Sequence, residues 1–291
     1  MKLEEYKAGE YKQGNGYKAF LPSNINYNWG WDDTKLDSLL AEANRQIGEL
    51  NAYSLLLPNV ELYIKMHVKI EANKSSRIEG TKTTIEEDLS DCLKDLELFI
   101  NNEDIDTPDL IKIAMIHYQF ESIHPFLDGN GRIGRLLIPL YLQSKKYLDN
   151  PCLYISYFFE KNRDLYYQKL NDVRVKNDII GWIKFFLEGI IETAEIAKKK
   201  FKKVVELTKK VESQLTNLGV KYDNAKKIVD YFYNEPCSSR KKISEALKMP
   251  ESTVNGVISE LKLANIIQET TGFSRNQIFV FSEYVSIFLS E

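Results

Sequence analysis

Residues 124–135 read HPFLDGNGRIGR, and the reading of this stretch decides how the whole chain is understood. A histidine, a carboxylate, two glycines around an asparagine and two arginines one helical turn apart fall within one short segment. The glycines flanking Asn130 let successive backbone N–H groups turn to one side, forming a nest that holds anionic oxygens. That nest is predicted to run into a helix beginning near Arg132, whose N-terminus adds its dipole and unpaired donors. Arg132 and Arg135 are spaced to share a helix face, and their planar forks suit phosphate oxygens. Asp128, just ahead of the nest, is a hard oxygen ligand of the kind Mg²⁺ takes together with phosphates. His124 is the group in the stretch that exchanges a proton near neutral pH. Together these parts describe polyphosphate and metal binding beside a general base, which is the equipment for attack on a nucleotide phosphate.

The rest of the chain narrows the setting. With 291 residues and a formal net charge of −3, the protein has material for about two globular domains. Its charge balance gives no reason to expect a nucleic-acid coat or adhesion to a membrane surface. The start, MKLEEYKAGE, carries acids where a signal peptide needs a basic end and an apolar core. The densest apolar run, LLIPLYL at 136–142, is too short to span a bilayer and contains a proline. Cys92, Cys152 and Cys237 are far apart and outside any C-x-x-C pair, so reduced thiols and a cytoplasmic address are expected.

Apolar positions recur at helical spacing nearly throughout, which predicts a mainly α fold. The N-terminal segment, rich in Asn, Gly and aromatics, reads as an irregular arm, and Asp33 or Thr34 as the cap of a first helix. A second helix is predicted from about Asn59 to a stop at Gly80, and a third ends near Ile100. Thr107-Pro108-Asp109 has the order of a helix start: capping hydroxyl, proline, then an acid in the first turn. After the motif, RLLIPLYLQSKKYL reads as a buried helix, and Phe126 as a core anchor. A long amphipathic helix is predicted over 190–215, with Ile190, Ala194, Ala197, Phe201, Val204, Val211 and Leu215 on one face. Its lysines cover the other face. Beyond Lys221 the pattern changes to three short helices and two extended runs around GFSRN, the composition of a winged helix.

The motif resembles the signature of the Fic family, H-x-F-x-[D/E]-G-N-G-R-x-x-R, at every specified position. FESIHPF before it, and NRDLYYQKLNDVR and WIKFFLEG after it, are similar to the family's flanks, and the resemblance covers most of residues 15–190. It implies a helical Fic core with a short β-hairpin flap, followed by the winged helix as a C-terminal companion. It also implies four parts: an N-terminal arm, inhibitory helix and flap at 1–100, the Fic core at 101–190, a linking helix at 191–220 and the winged helix at 221–291. Such proteins mostly transfer AMP from ATP to a hydroxyl of a target protein. By resemblance, His124 would deprotonate a Tyr, Ser or Thr hydroxyl, and Asp128 would hold Mg²⁺. Gly129, Asn130 and Gly131 would cradle phosphate oxygens, with Arg132 and Arg135 at the β/γ end. His117, about two turns before the motif, reads as a packed structural histidine.

SSRIEG at 75–80 matches the family's inhibitory pattern, with Ser75 and Glu79 on one helix face. The resemblance implies a Glu79–Arg135 pair that occupies the guanidinium needed by the terminal phosphate. The following residues Thr81, Lys82, Thr83, Thr84 and Ile85 stand where the family has a flap that adds a strand to an extended target. Tyr167 and Trp182 are candidates for stacking on the base, and Asp178 stands at the pocket edge where an apolar residue is frequent. The motif reads phosphates rather than the base, so UTP or GTP are alternative donors. Self-modification and a homodimer are further expectations at the family level.

A different class of function is a transcription regulator whose winged helix reads DNA while its Fic-like part senses a nucleotide. ESTVNGVISEL would be the reading helix. From Lys221 onward, however, nine basic residues are balanced by nine acids, so the usual basic footprint is missing and DNA is the less favoured partner. The expected partners are therefore a nucleotide and a hydroxyl-bearing protein.

Overall fold

The protein, seen in a computed structural model, is described at residues 1–13, 18–65, 68, 86–217, 221–273 and 275–289. Helices dominate these residues, with two small antiparallel sheets, in agreement with the mainly α expectation. None of the helices among them is long and apolar enough to cross a membrane. The chain forms two compact units: 1–51 with 67–197, and 52–66 with 198–291.

The first unit opens with a pair of strands where the sequence suggested an irregular arm. Strand β1, Gly9–Gln13, pairs with β2, Lys18–Pro22, in a register that sets Tyr11 opposite Phe20. Those two rings meet edge to face at 5.2 Å, and the Arg174 guanidinium lies 4.8 Å above Phe20. The rest of the arm is anchored through buried Leu3, Tyr6, Ile25 and Trp29. Its order comes from contacts distant in sequence, which local composition does not report.

Helix α1, Thr34–Ser54, starts as expected: Asp33 Oδ1 accepts the Leu36 N–H at 2.9 Å. The other carboxylate oxygen meets Lys184 Nζ at 2.5 Å, and this bond together with the Leu36 amide holds the carboxyl below its usual range. Leu36, Ala43, Ile47 and Leu50 form the buried stripe. After α2, Glu86–Asn101, comes the central helix α3, Asp109–Ile123, buried on almost every side. The Thr107 hydroxyl does not cap it. Instead, that oxygen accepts the Trp29 N–H at 2.8 Å, and the Pro108 carbonyl receives the first N–H groups of α3, from Ile111 and Lys112.

Helix α4, Asn130–Ser144, carries the motif. It is only half buried, because Ile133, Leu136 and Leu140 form a partly exposed apolar edge. Helices α5, Ser156–Lys161, and α6, Arg163–Lys176, follow. Helix α7, Ile179–Thr216, begins well before the amphipathic run expected over 190–215 and continues through it as one element, with residues in both units. Gly189 is no stop within it: a β-carbon there would lie 2.6 Å from Phe158, so the glycine serves a close approach. All seven residues expected on its apolar face are buried.

In the second unit, Asn59 Oδ1 caps the helical residues 60–65 by accepting the Leu62 N–H at 3.1 Å. Of the rest of the helix predicted to end at Gly80, residue 68 is helical and the others lie outside the described residues. Helices α8 (Tyr222–Asn234), α9 (Arg240–Leu247) and α10 (Glu251–Leu263) match the three expected from sequence. Strands β4 (Gln268–Glu269) and β5 (Ile278–Val280) are the antiparallel runs around GFSRN. Two elements were not foreseen: strand β3, Cys237–Ser239, which pairs with β5, and the last helix α11, Ser282–Leu289. Cys92 and Cys152 are buried thiols outside any disulfide, and Cys237 is an exposed one.

Candidate functional site

Helix α3 ends in the motif by an abrupt change of backbone direction. His124 donates its N–H to the Phe120 carbonyl at 2.9 Å and takes a left-handed conformation, φ 52° and ψ 55°. A residue with a β-carbon pays for that conformation, and here it turns the chain off the helix axis. The loop that follows is closed by Asn130. Its side-chain oxygen accepts the Phe126 N–H at 2.8 Å, while its amide donates to the Phe126 carbonyl at 2.5 Å. Asn130 is thereby buried, with its side chain committed to closing the loop.

Gly129, at φ 82°, is the left-handed residue that starts α4, two residues earlier than the sequence suggested. The first intrahelical bond runs from Ile133 N–H to the Gly129 carbonyl, so the N–H groups of Asn130 and Gly131 lie ahead of the ladder. Asp128 accepts the Gly129 N–H at 2.7 Å through one oxygen and meets Arg132 Nη2 at 3.3 Å through the other. The loop apex is apolar and outward. Leu127 is 91% exposed, and Phe126 is 49% exposed instead of anchoring the core.

The two arginines have different surroundings, although their spacing suggested a shared face. Arg132 is exposed and paired with Asp128. Arg135 is buried, and its guanidinium lies directly over Gly131, where a β-carbon would come within 2.9 Å of Nη1 and 3.0 Å of Nη2. Gly134, one residue back, faces α3: a β-carbon there would lie 2.6 Å from Glu121 Oε1 and 3.1 Å from Phe120 Cδ1. Gly134→Ala is therefore expected to overpack the α3–α4 crossing and cost about 1–3 kcal/mol. Urea unfolding followed by circular dichroism would measure it, and an unchanged midpoint would contradict this account.

His117 is buried as expected, with Nδ1 3.0 Å from the Gly134 carbonyl and Nε2 3.1 Å from the Tyr166 hydroxyl. Burial, the largest influence, holds its pKa down to about 3. Trp182 is a core residue rather than a pocket wall, since it is fully buried and its indole N–H donates to the Ala114 carbonyl at 2.8 Å. Asp178 caps α7 by accepting the Gly181 N–H at 2.9 Å. Tyr167 is half-buried with the Arg163 guanidinium 5.8 Å from its ring. Its neighbour Tyr166, which the sequence reading passed over, is the one whose hydroxyl reaches His117. Helical spacing from Tyr167 could not have distinguished the two, because they are adjacent and both aromatic. Ser75, Glu79, Thr81, Lys82, Thr83, Thr84 and Ile85 lie outside the described residues.

Among the described residues, no group of three or more His, Cys, Asp or Glu side chains comes together as a metal cage. Asp128, an exposed carboxylate beside the N–H groups that open α4, is nonetheless a hard oxygen donor of the kind Mg²⁺ takes when waters and a nucleotide supply its other ligands.

A profile of the Fic/DOC family matches residues 61–142. The chain is 31% identical over 110 residues to a protein adenylyltransferase Fic of Drosophila erecta, covering 38% of this chain and 21% of that protein. It is 39% identical over 67 residues to a probable protein adenylyltransferase of Aquifex aeolicus, covering 23% and 18%. The chain thus spans about a fifth of the length of these curated relatives. A crystal structure of a Fic family protein from Desulfovibrio desulfuricans G20 aligns with 89% of this chain and 98% of its own at 16% identity, with a TM-score of 0.44.

Proposed function

We propose, from the premise that this chain carries a Fic/DOC family domain, that it is a protein adenylyltransferase moving AMP from ATP to a hydroxyl side chain. The observation that carries the reading is the amino end of α4, where the buried Arg135 guanidinium lies over Gly131 beside N–H groups ahead of the helical ladder. Helix N-termini and guanidinium forks are complementary to polyphosphate. Six residues earlier, His124 stands at the end of α3 as the base.

In the reaction, His124 takes the proton from the target hydroxyl, whose oxygen bonds to the α-phosphorus. The bond from that phosphorus to the bridging oxygen of the β-phosphate breaks, and pyrophosphate leaves. The N–H groups of Asn130 and Gly131 hold phosphate oxygens, and Arg132 and Arg135 take charge at the β/γ end. Such transfers depend mainly on positioning and charge stabilisation. Asp128 would hold Mg²⁺, which neutralises phosphate charge when bound. Tyr167 is the remaining candidate for the base pocket.

Glu79 is proposed as a brake on the same site. The match of SSRIEG at 75–80 to the family's inhibitory pattern supports this reading, and a glutamate engaging Arg135 would compete with the terminal phosphate. In the second unit, the order helix, strand, helix, helix, strand, strand over 222–280 supports the winged-helix reading. Its balanced charge supports a protein partner, a choice that salt-sensitive retention on duplex DNA would reverse.

The test is incubation of wild type, Glu79→Gly and Glu79→Gly/His124→Ala with Mg²⁺ and α-labelled ATP. Label is expected to enter protein several-fold or more faster in Glu79→Gly than in wild type, and not in the double variant. Absence of label in all three, with UTP and GTP as well as ATP, overturns the transferase reading and leaves a nucleotide sensor.

A further inference from the structure

At the end of α3 away from His124, a cleft of about 440 Å³ is lined by the amino end of that helix and by Lys112, Lys145 and Tyr147. The helix has 15 residues, which sets its two ends about 20 Å apart. The cleft is therefore separate from the motif, although both lie in the first unit.

Lys112 is the most enclosed group on the lining. It is 2% exposed, yet its ammonium has no ion pair: Nζ donates to the Asn102 carbonyl at 3.0 Å and lies 5.3 Å from the centre of the Phe99 ring. An ammonium has three protons to donate, so this one is short of acceptors among the described residues. A buried charge without a counter-charge is costly. Burial, and after it the charge of Lys145, hold the Lys112 pKa below its usual value. Lys145 is half-buried, with its ammonium 5.9 Å from the Tyr141 ring and no ion pair among the described residues.

The carboxylates on the lining do not supply the missing charge. Asp109 accepts the Tyr141 hydroxyl at 2.7 Å. Glu103 and Asp106 are exposed, where water and salt screen them. They also restrict what can enter, since a ligand with a second anionic group would be repelled by these acids.

We propose that this cleft binds the single oxyanion head of a small ligand, a carboxylate or phosphate group held by Lys112 and Lys145. Charge-assisted bonds from ammonium to such oxygens are strong. The positive end of the α3 dipole, at Pro108 and Asp109, adds to the attraction. The site stands apart from the transfer reaction and does not depend on it.

The test is the melting temperature of the full chain titrated with inorganic phosphate or with acetate, at constant ionic strength with chloride as control. An anion that binds the folded state raises the melting temperature, and the dependence on concentration gives an apparent Kd. Lys145→Ala changes a half-buried position, and Lys112→Met keeps an unbranched stem without the charge. Each is expected to weaken binding at least about tenfold, the scale of one lost charge-assisted hydrogen bond. A response to phosphate alone identifies a phosphoryl head, to acetate alone a carboxylate, and to both an unselective oxyanion site. If the response keeps its strength in either lysine variant, it belongs elsewhere, as at the amino end of α4, and the inference is overturned. No response to either anion in wild type overturns it as well. Should Lys112→Met fail to fold, Lys145→Ala decides alone.

Discussion

Replacing His124 by asparagine is expected to lower transfer by about 10²–10⁴-fold, the usual contribution of a positioned general base, with no loss of thermal stability. The two effects have separate causes. Asparagine has no group to take the hydroxyl proton at neutral pH, so the first step loses its acceptor. The backbone at 124, however, is in the left-handed region, where asparagine is the least disfavoured residue after glycine. The conformation that turns the chain out of α3 should therefore persist, and the melting temperature should stay equal or rise. Label incorporation in the Glu79→Gly background measures the first effect and a thermal melt the second. A fall of several degrees would mean that the imidazole itself holds the loop, contrary to the role assigned to Asn130.

The second large effect is on stability in acid. His117 is neutral when folded down to about pH 3, whereas an unfolded histidine takes its proton near 6.5. Between those values the unfolded chain binds the extra proton, so stability must fall as pH falls. Above pH 6.5 both states are neutral and the group contributes no pH dependence. Below about 6, the slope from this single group approaches ~1.4 kcal/mol per pH unit. Urea midpoints at pH 7, 6 and 5 would show it. His117→Phe is expected to be less stable at pH 7, because it leaves the Gly134 carbonyl and Tyr166 hydroxyl without their partner, yet to have a shallower acid limb. An identical limb in that variant would assign the loss to carboxylates elsewhere.

Both expectations depend on facts that differ in how far the sequence exposes them. The chemistry of 124–135 is local: a nest needs consecutive small residues, a fork needs an arginine, and a base needs a histidine. Twelve adjacent letters contain all of these. Helix α7 was equally legible along its apolar face, since burial at 3.6-residue spacing is written directly into composition. Its continuity through Gly189 was not, because the reason for that glycine is the Phe158 ring, thirty-one residues away in the chain.

By itself, the sequence determined a mainly helical fold, the grouping of histidine, carboxylate, glycines and arginines in one loop and the positions of most helices, because periodicity and short spacing are properties of neighbours. Tertiary structure alone decided which of those residues meet. It turned the Thr107 hydroxyl to Trp29, left Phe126 outside, drew Trp182 into the core and gave Asn130 the task of closing the loop. It also exposed Arg132 while burying Arg135, and brought Tyr166 rather than Tyr167 to His117. These choices turn on packing between helices, where a shift of one residue around the helix, about 100°, exchanges a buried partner for an exposed one.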